Sequence, residues 1–380
     1  MKYKYRLDKV YNRLIVWLRS LFWNKKKSVC LSWEAADSIA VIFPHGLGDI
    51  IMATAFFRKL RALAPQAKIT YIGSFVGRLI LEEQNLIDQY IVFPSYNAMH
   101  GWNAILKHWR EVYHVLKQAR NKKFDIVIEP FGNTISTLFA SFLRANQYVG
   151  LEFSNLYKLQ TFTVPYQSRE HIIDVMMYIF QYTGCKFEFG ESCPKIFLSH
   201  QQLLEGKEFI NANQLNDKLK IGIHPGASVS SRRWKGFVRL IGLLCQNQPD
   251  TVICLFCGPG DENFVQNILN HVDEKFKGRV LLVKRSLLEY IAILSTCSHV
   301  ICNDSSCGHI SAALGVPVTV LFAQGDPRFI APRGANTINI ISRDFSCKPC
   351  LQNKCPKKTN ECFTWITPEI VFDTIKNMLN

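Results

Sequence analysis

The feature that most constrains this chain is a repeated alternation. Short apolar runs of strand length are each followed by a stretch with helical spacing, twice over in 380 residues. Ile39-Ala40-Val41-Ile42-Phe43 is such a run; after the turn Pro44-His45-Gly46-Leu47-Gly48-Asp49, Ile50, Ala53, Phe57 and Leu60 keep a helical period up to Pro65. Lys68–Ile72 and Phe124–Ile128 read as further strands, with a polar-aromatic helical stretch over roughly 94–120. The polar run 211–218 reads as a linker, after which the alternation restarts. Strands are expected at 219–223, 251–257, 280–283, 300–302 and 317–322, with helices at 237–245, 262–271, 287–296 and 309–314.

Strands joined through helices lie parallel, because a crossover returns the chain to the same end of the sheet. The fold class expected is therefore α/β, with two open doubly wound sheets. Two domains also follow from length, since one core rarely grows past about 250–300 residues. The boundaries read as 38–210 and 211–366, with 1–37 a separate basic segment and 367–380 a closing helix. Ligands in such sheets sit beyond the carboxyl ends of the strands, so the strand-to-helix turns are where chemistry is sought.

Three turns stand out. Gly46 and Gly48 allow a tight turn at a helix start, and Asp49 either accepts a proton from a hydroxyl or merely caps its helix. A dinucleotide fingerprint needs a third glycine where Ile51 stands and an acid after the second strand, where Gly73-Ser74 stands; a nicotinamide dehydrogenase is thereby set aside. His224-Pro225-Gly226-Ala227-Ser228 runs into Ser231-Arg232-Arg233-Trp234, a mixture of small residues, hydroxyls and guanidinium forks that suits a diphosphate or leaves the arginines solvated. Asn303-Asp304-Ser305-Ser306-Cys307-Gly308-His309 opens a helix whose N–H groups and hydroxyls can wrap a phosphate, with His309 a further donor.

The net charge of +15 is concentrated at one end. Residues 1–27 hold nine Lys or Arg against the single acid Asp8, a local excess of +8, on a helical pattern with Leu7, Val10, Leu14, Leu18 and Leu21 apolar and Trp17 and Trp23 present. Arg13 and Arg19 break any span of the ~20 apolar residues a bilayer requires. The segment reads as a helix on an anionic membrane surface, or as one packed on the protein's own core with its charges in solvent. Nucleic-acid binding is not expected, because the basic excess lies in the tail and is not interleaved with aromatics along the body. Most of the 13 cysteines sit in apolar settings and read as reduced thiols, which with no export signal implies a cytoplasmic protein. Cys347, Cys350, Cys355 and Cys362 form a cluster open to a structural zinc, free thiols or a disulfide.

Together these motifs resemble glycosyltransferase family 9, the ADP-heptose:lipopolysaccharide heptosyltransferases. The resemblance rests on Gly46-Leu47-Gly48-Asp49, on Pro225-Gly226-Ala227-Ser228 with Arg232-Arg233-Trp234, and on the block from Asn303 to Pro317 followed by Asp326-Pro327. Weaker echoes are Asp125–Glu129 with Gly132, Tyr148-Val149-Gly150 and His171 with Asp174. It covers about residues 38–380 and implies a GT-B fold, two Rossmann-like domains facing a central cleft across which Asp49 meets the turn at 304–309. It implies inverting transfer from an ADP-sugar to a lipid-linked saccharide at the inner face of the cell membrane, with no cofactor required for catalysis. Asp49 would be the general base; Arg232 and Ser228 would meet the diphosphate, together with Ser305, Ser306 and His309. Asp304 would hold sugar hydroxyls and Glu262 the nucleotide ribose, and the final helix would pack at the domain junction. Three positions depart from the pattern: Ser306 replaces a glycine, Arg232 a lysine, and Pro44-His45 a polar pair, so that His45 becomes a second candidate for handling the proton. The alternatives are a relative using another nucleotide sugar or a protein acceptor, and a non-catalytic nucleotide-sugar binder.

Overall fold

The computed structural model describes residues 31–94, 102–152, 155–166, 170–185, 188–343, 355 and 361–379. The chain divides into two units, Met1–Ser192 and Cys193–Asn380.

In the first unit, β1 (Ser38–Phe43), β2 (Lys68–Gly73), β3 (Gln89–Val92), β4 (Lys123–Glu129), β5 (Arg144–Leu151) and β6 (Phe162–Val164) form a parallel sheet in the order β3-β2-β1-β4-β5-β6. Its centre is β1, buried from Ile39 to Phe43 and paired with Lys68–Gly73 on one side and Ile126–Ile128 on the other. Such two-sided burial is why the strand reads as a continuous apolar run instead of an alternating one. The helices are α1 (Leu47–Leu63), α2 (Phe75–Glu82), α3 (Trp102–Arg120), α4 (Thr134–Ser141) and α5 (Ile172–Tyr182). Helix α1 is buried at every position from Ile50 to Phe57, with Phe56 stacked on Phe180 of α5 at 4.9 Å. A helix enclosed in this way holds its first turn rigidly.

The second unit repeats the plan. Strands β7 (Leu219–His224), β8 (Thr251–Phe256), β9 (Val280–Val283), β10 (His299–Asn303), β11 (Val318–Phe322) and β12 (Thr337–Ile341) are parallel in the order β12-β11-β10-β7-β8-β9. Its helices are α6 (His200–Ala212), α7 (Phe237–Asn247), α8 (Glu262–His271), α9 (Glu274–Lys277), α10 (Leu287–Leu294), α11 (Ser306–Leu314), α12 (Pro327–Ile330) and α13 (Pro368–Ile375). Counted from its own first strand, each sheet has the order 3-2-1-4-5-6. The connections therefore reverse direction between β1 and β4, and again between β7 and β10. Each reversal opens a crevice at the strand carboxyl ends.

Two expectations are corrected. The division falls at Ser192, upstream of the expected 210/211 boundary, because α6 packs on α10 and the Ile196 N–H donates to the Ala313 carbonyl within the second unit. The supposed linker at 211–218 carries Leu215, buried with Ile210 and Val252. The closing helix α13 packs on α7 in the second core through Val371 and Ile375, and Trp234 Nε1 donates to the Ile366 carbonyl just before it at 2.8 Å. The basic segment over 1–27 lies outside the described residues, as do Cys347 and Cys350.

Candidate functional site

The crevice of the first unit is made by the turn after β1 and the turn after β4. Gly46 is the N-cap of α1, and its N–H donates to Asp49 Oδ2 at 3.3 Å, so the carboxylate at the third helical position reaches back to the helix start. Burial pushes the Asp49 carboxyl up to about 6, against a smaller downward pull from the Gly46 N–H. Asp49 thus bonds the start of its own helix and is also a carboxylate of raised pKa. His45 stacks on Phe131 at 4.0 Å and against Phe43 at 4.6 Å, and burial holds its imidazole down to about 4. Its Nε2 is buried without a hydrogen-bond partner. A histidine held neutral in this way is a weak base, and Asp49 is the other titratable group of the turn.

The other wall is fixed by Glu129, at the end of β4 and fully buried. It accepts hydrogen bonds from Gly132 N at 2.8 Å, Asn133 N at 3.3 Å, Ser136 Oγ at 2.8 Å and Thr137 Oγ1 at 3.2 Å. These donors offset part of the burial that pushes its carboxyl up to about 7. Glu129 ties the turn to the start of α4 and so places Phe131 against His45.

In the second unit, β7 ends at His224 and β10 at Asn303, side by side. Asn303 joins the turns: its Nδ2 donates to the Pro225 carbonyl at 2.7 Å and its Oδ1 accepts from Trp234 N at 3.2 Å. Two arginines each meet a buried carboxylate here. Arg232 Nη1 lies 3.6 Å from Asp304 Oδ2, and Arg233 Nη2 lies 2.6 Å from Asp261 Oδ1. Burial raises both carboxyls, and the arginines pull them back down. The first pair is looser than the second, and Arg232 Nε, Asp304 Oδ2 and Ser305 Oγ are all buried without hydrogen bonds. Unsatisfied polar atoms converging at the start of α11 are the signature of a site that a polar ligand completes. Gly226 lies close under Asp261: a Cβ there would stand 1.9 Å from Asp261 Oδ2, so the carboxylate would have to shift.

The sequence candidates are thus partly brought together. Asp304, Ser305, Ser306 and His309 lie on one turn and the first turns of α11, with His309 buried; Arg232 reaches Asp304 from the β7 loop. Ser228 is exposed on the same loop. Glu262 starts α8 on the surface, 3.5 Å from Lys284 Nζ, while its neighbour Asp261 turns inward to Arg233. Sequence reasoning missed Asp261, Asn303 as a clasp, and Gln324, whose Nε2 donates to the Ser231 carbonyl at 2.7 Å. Only the Gly258–Gly260 turn before Asp261 hinted at any of these. Cys362 is buried and Cys355 half-buried, and among the described residues no group of three metal-binding side chains occurs.

Two six-stranded parallel sheets of one topology, the first with a carboxylate turn and the second with two loop arginines facing carboxylates, make up a GT-B-type fold. Residues 112–360 match glycosyltransferase family 9 (heptosyltransferase), and the chain belongs to that family. It is 26% identical to the lipooligosaccharide heptosyltransferase 2 of Campylobacter jejuni over 343 residues, 90% of this chain and 98% of that protein. Among solved structures it resembles a family 9 glycosyltransferase of Veillonella parvula (TM-score 0.76, 23% identity, 93% of this chain and 99% of that one). It also resembles the ADP-heptose lipopolysaccharide heptosyltransferase II of E. coli (TM-score 0.72, 18% identity, 90% and 98%).

Proposed function

We propose that this protein transfers a heptose from an ADP-activated donor to a lipopolysaccharide or lipooligosaccharide core, with inversion at the sugar carbon. The observation that carries the reading is Asp49: a capping carboxylate at the β1/β4 crevice, with its pKa raised to about 6. A base of that strength is ionised at neutral pH yet takes a proton more readily than an ordinary aspartate. The names of the relatives supply the heptose and the core acceptor.

In this reading Asp49 removes the proton of the acceptor hydroxyl as its oxygen bonds to the anomeric carbon. The bond from that carbon to the phosphate oxygen breaks on the opposite face, and its electron pair leaves with ADP. Arg232, the hydroxyls of Ser305 and Ser306, and the N–H groups opening α11 offset the charge growing on the diphosphate. Ser228 and His309 supply further donors, Asp304 holds sugar hydroxyls, and Glu262 holds the ribose. The offsetting charge comes from the chain itself, so the reading requires no cofactor. The acceptor is lipid-linked, which places the protein at a membrane face.

The test is transfer from ADP-, UDP- and GDP-sugars to a heptose-deficient core, with product anomer determined by NMR. ADP-heptose is expected to be the active donor, and Asp49→Asn to bind ADP but not turn over. Binding without transfer by any donor would instead indicate the non-catalytic relative.

A further inference from the structure

Helix α3 crosses from β3 to β4 and buries one side of itself, with Val115 and Ala119 set among Ile91, Phe93 and Phe124. Its other side is not the polar surface such a helix ordinarily shows. Leu106, Trp109 and Tyr113 recur three and four residues apart, and so share a face. They are 65%, 56% and 62% exposed. Lys107, Arg110, His114, Lys117 and Arg120 are exposed beside them, and Glu111 is the only acid from 106 to 120. Among the described residues none of the four Lys and Arg side chains is ion-paired. A solvated helix face normally mixes both signs of charge. An apolar and aromatic centre rimmed by unpaired cations has a different use.

We infer that the outward face of α3 is a docking surface for an anionic lipid bilayer. Tryptophan, tyrosine and leucine bury their apolar parts at the acyl boundary, while the flanking cations meet lipid phosphates. No described helix is long and apolar enough to cross a membrane, so the contact is one of lying on the surface. A second copy of the chain is a poor occupant, because a two-fold contact sets the same face against itself and opposes four cations to four. The topology gives the surface a purpose. A helix joining two parallel strands runs against them, so its first half, with Leu106 and Trp109, lies toward the strand carboxyl ends. That is the end at which the Gly46–Asp49 turn opens. A bilayer against this face holds a lipid-linked substrate beside the base. The surface is formed by residues 106–120, distinct in sequence from the basic segment over 1–27; only its purpose, not the docking itself, rests on the transferase reading.

The experiment uses the full chain with vesicles of phosphatidylcholine, with and without phosphatidylglycerol. Each basic residue near such a surface is worth about 1 kcal/mol, or about fivefold in partition. The variant Lys107→Gln/Arg110→Gln/Lys117→Gln/Arg120→Gln is expected to lose well over about tenfold in binding to the anionic vesicles. The variant Leu106→Ser/Trp109→Ala/Tyr113→Ser is expected to weaken similarly while keeping its circular dichroism spectrum. Because residues 1–27 carry charge of their own, the readout specific to this face is Trp109. Quenching of tryptophan emission by brominated lipid should fall in Trp109→Phe. Unchanged partition and quenching would overturn the inference, as would an apolar-face variant that turns a dimer into a monomer and binds vesicles as before. Transfer to a lipid-free acceptor should be untouched in both variants. Absence of transfer in the parent protein, with the vesicle result intact, would strike the transferase reading alone.

Discussion

The two crevices of this protein share one topology and differ in charge. In the first unit, the turns over 44–49 and 129–134 contain no lysine or arginine, and burial drives the titratable groups toward neutrality: Asp49 to about 6, Glu129 to about 7, His45 to about 4. In the second, Arg232 and Arg233 each face a buried carboxylate at the corresponding place. Strand order decides where a ligand goes. Residue chemistry decides whether a proton or an anion is handled there.

The largest expected effect breaks the first crevice. Asp49→Asn should lower kcat by roughly 10²–10⁴ with ADP affinity retained. It should also raise Tm at pH 7.5. The folded pKa of about 6 lies above that of a free carboxyl, so the stability linked to this group is present at low pH and lost as pH rises through about 6; asparagine escapes that loss. A lower Tm would mean that the capping bond outweighs desolvation.

Next comes the second crevice. Arg232→Gln should weaken ADP binding by about 10- to 100-fold, the worth of a hydrogen bond to a charged group, measured by calorimetry. Unchanged affinity would make the Arg232–Asp304 pair purely structural. A third measurement sharpens the contrast between Asp49 and His45. The pH profile of kcat/KM should rise through an acid limb near 6 in the parent and keep it in His45→Gln, because His45 is already neutral there. Disappearance of the limb would hand the proton to His45. The smallest effect is expected for Glu262→Gln. This side chain is exposed beside Lys284, so losing its bond to the ribose should weaken ADP binding by only about threefold to tenfold.

Much of the architecture was legible because it is local. The bounds of α8 and β9 agree with the apolar pattern residue for residue. Gln89–Val92, Arg144–Leu151, Phe162–Val164 and Thr337–Ile341 escaped, because each mixes polar residues into its run and so lacks the continuous apolar pattern of β1 or β8. Of the candidate residues, those inside one turn were found together, as with Asp304, Ser305 and His309. Those joined across turns were not.

By itself the sequence determined two doubly wound halves and the chemistry of each strand-to-helix turn, since periodicity and turn residues act over a few neighbouring positions. Tertiary structure alone decided that Asp261 meets Arg233 and that Asn303 clasps Pro225 to Trp234. It also decided that Leu106, Trp109 and Tyr113 face outward. Those facts depend on which strands become neighbours, and strand order is set by crossover packing over the whole sheet.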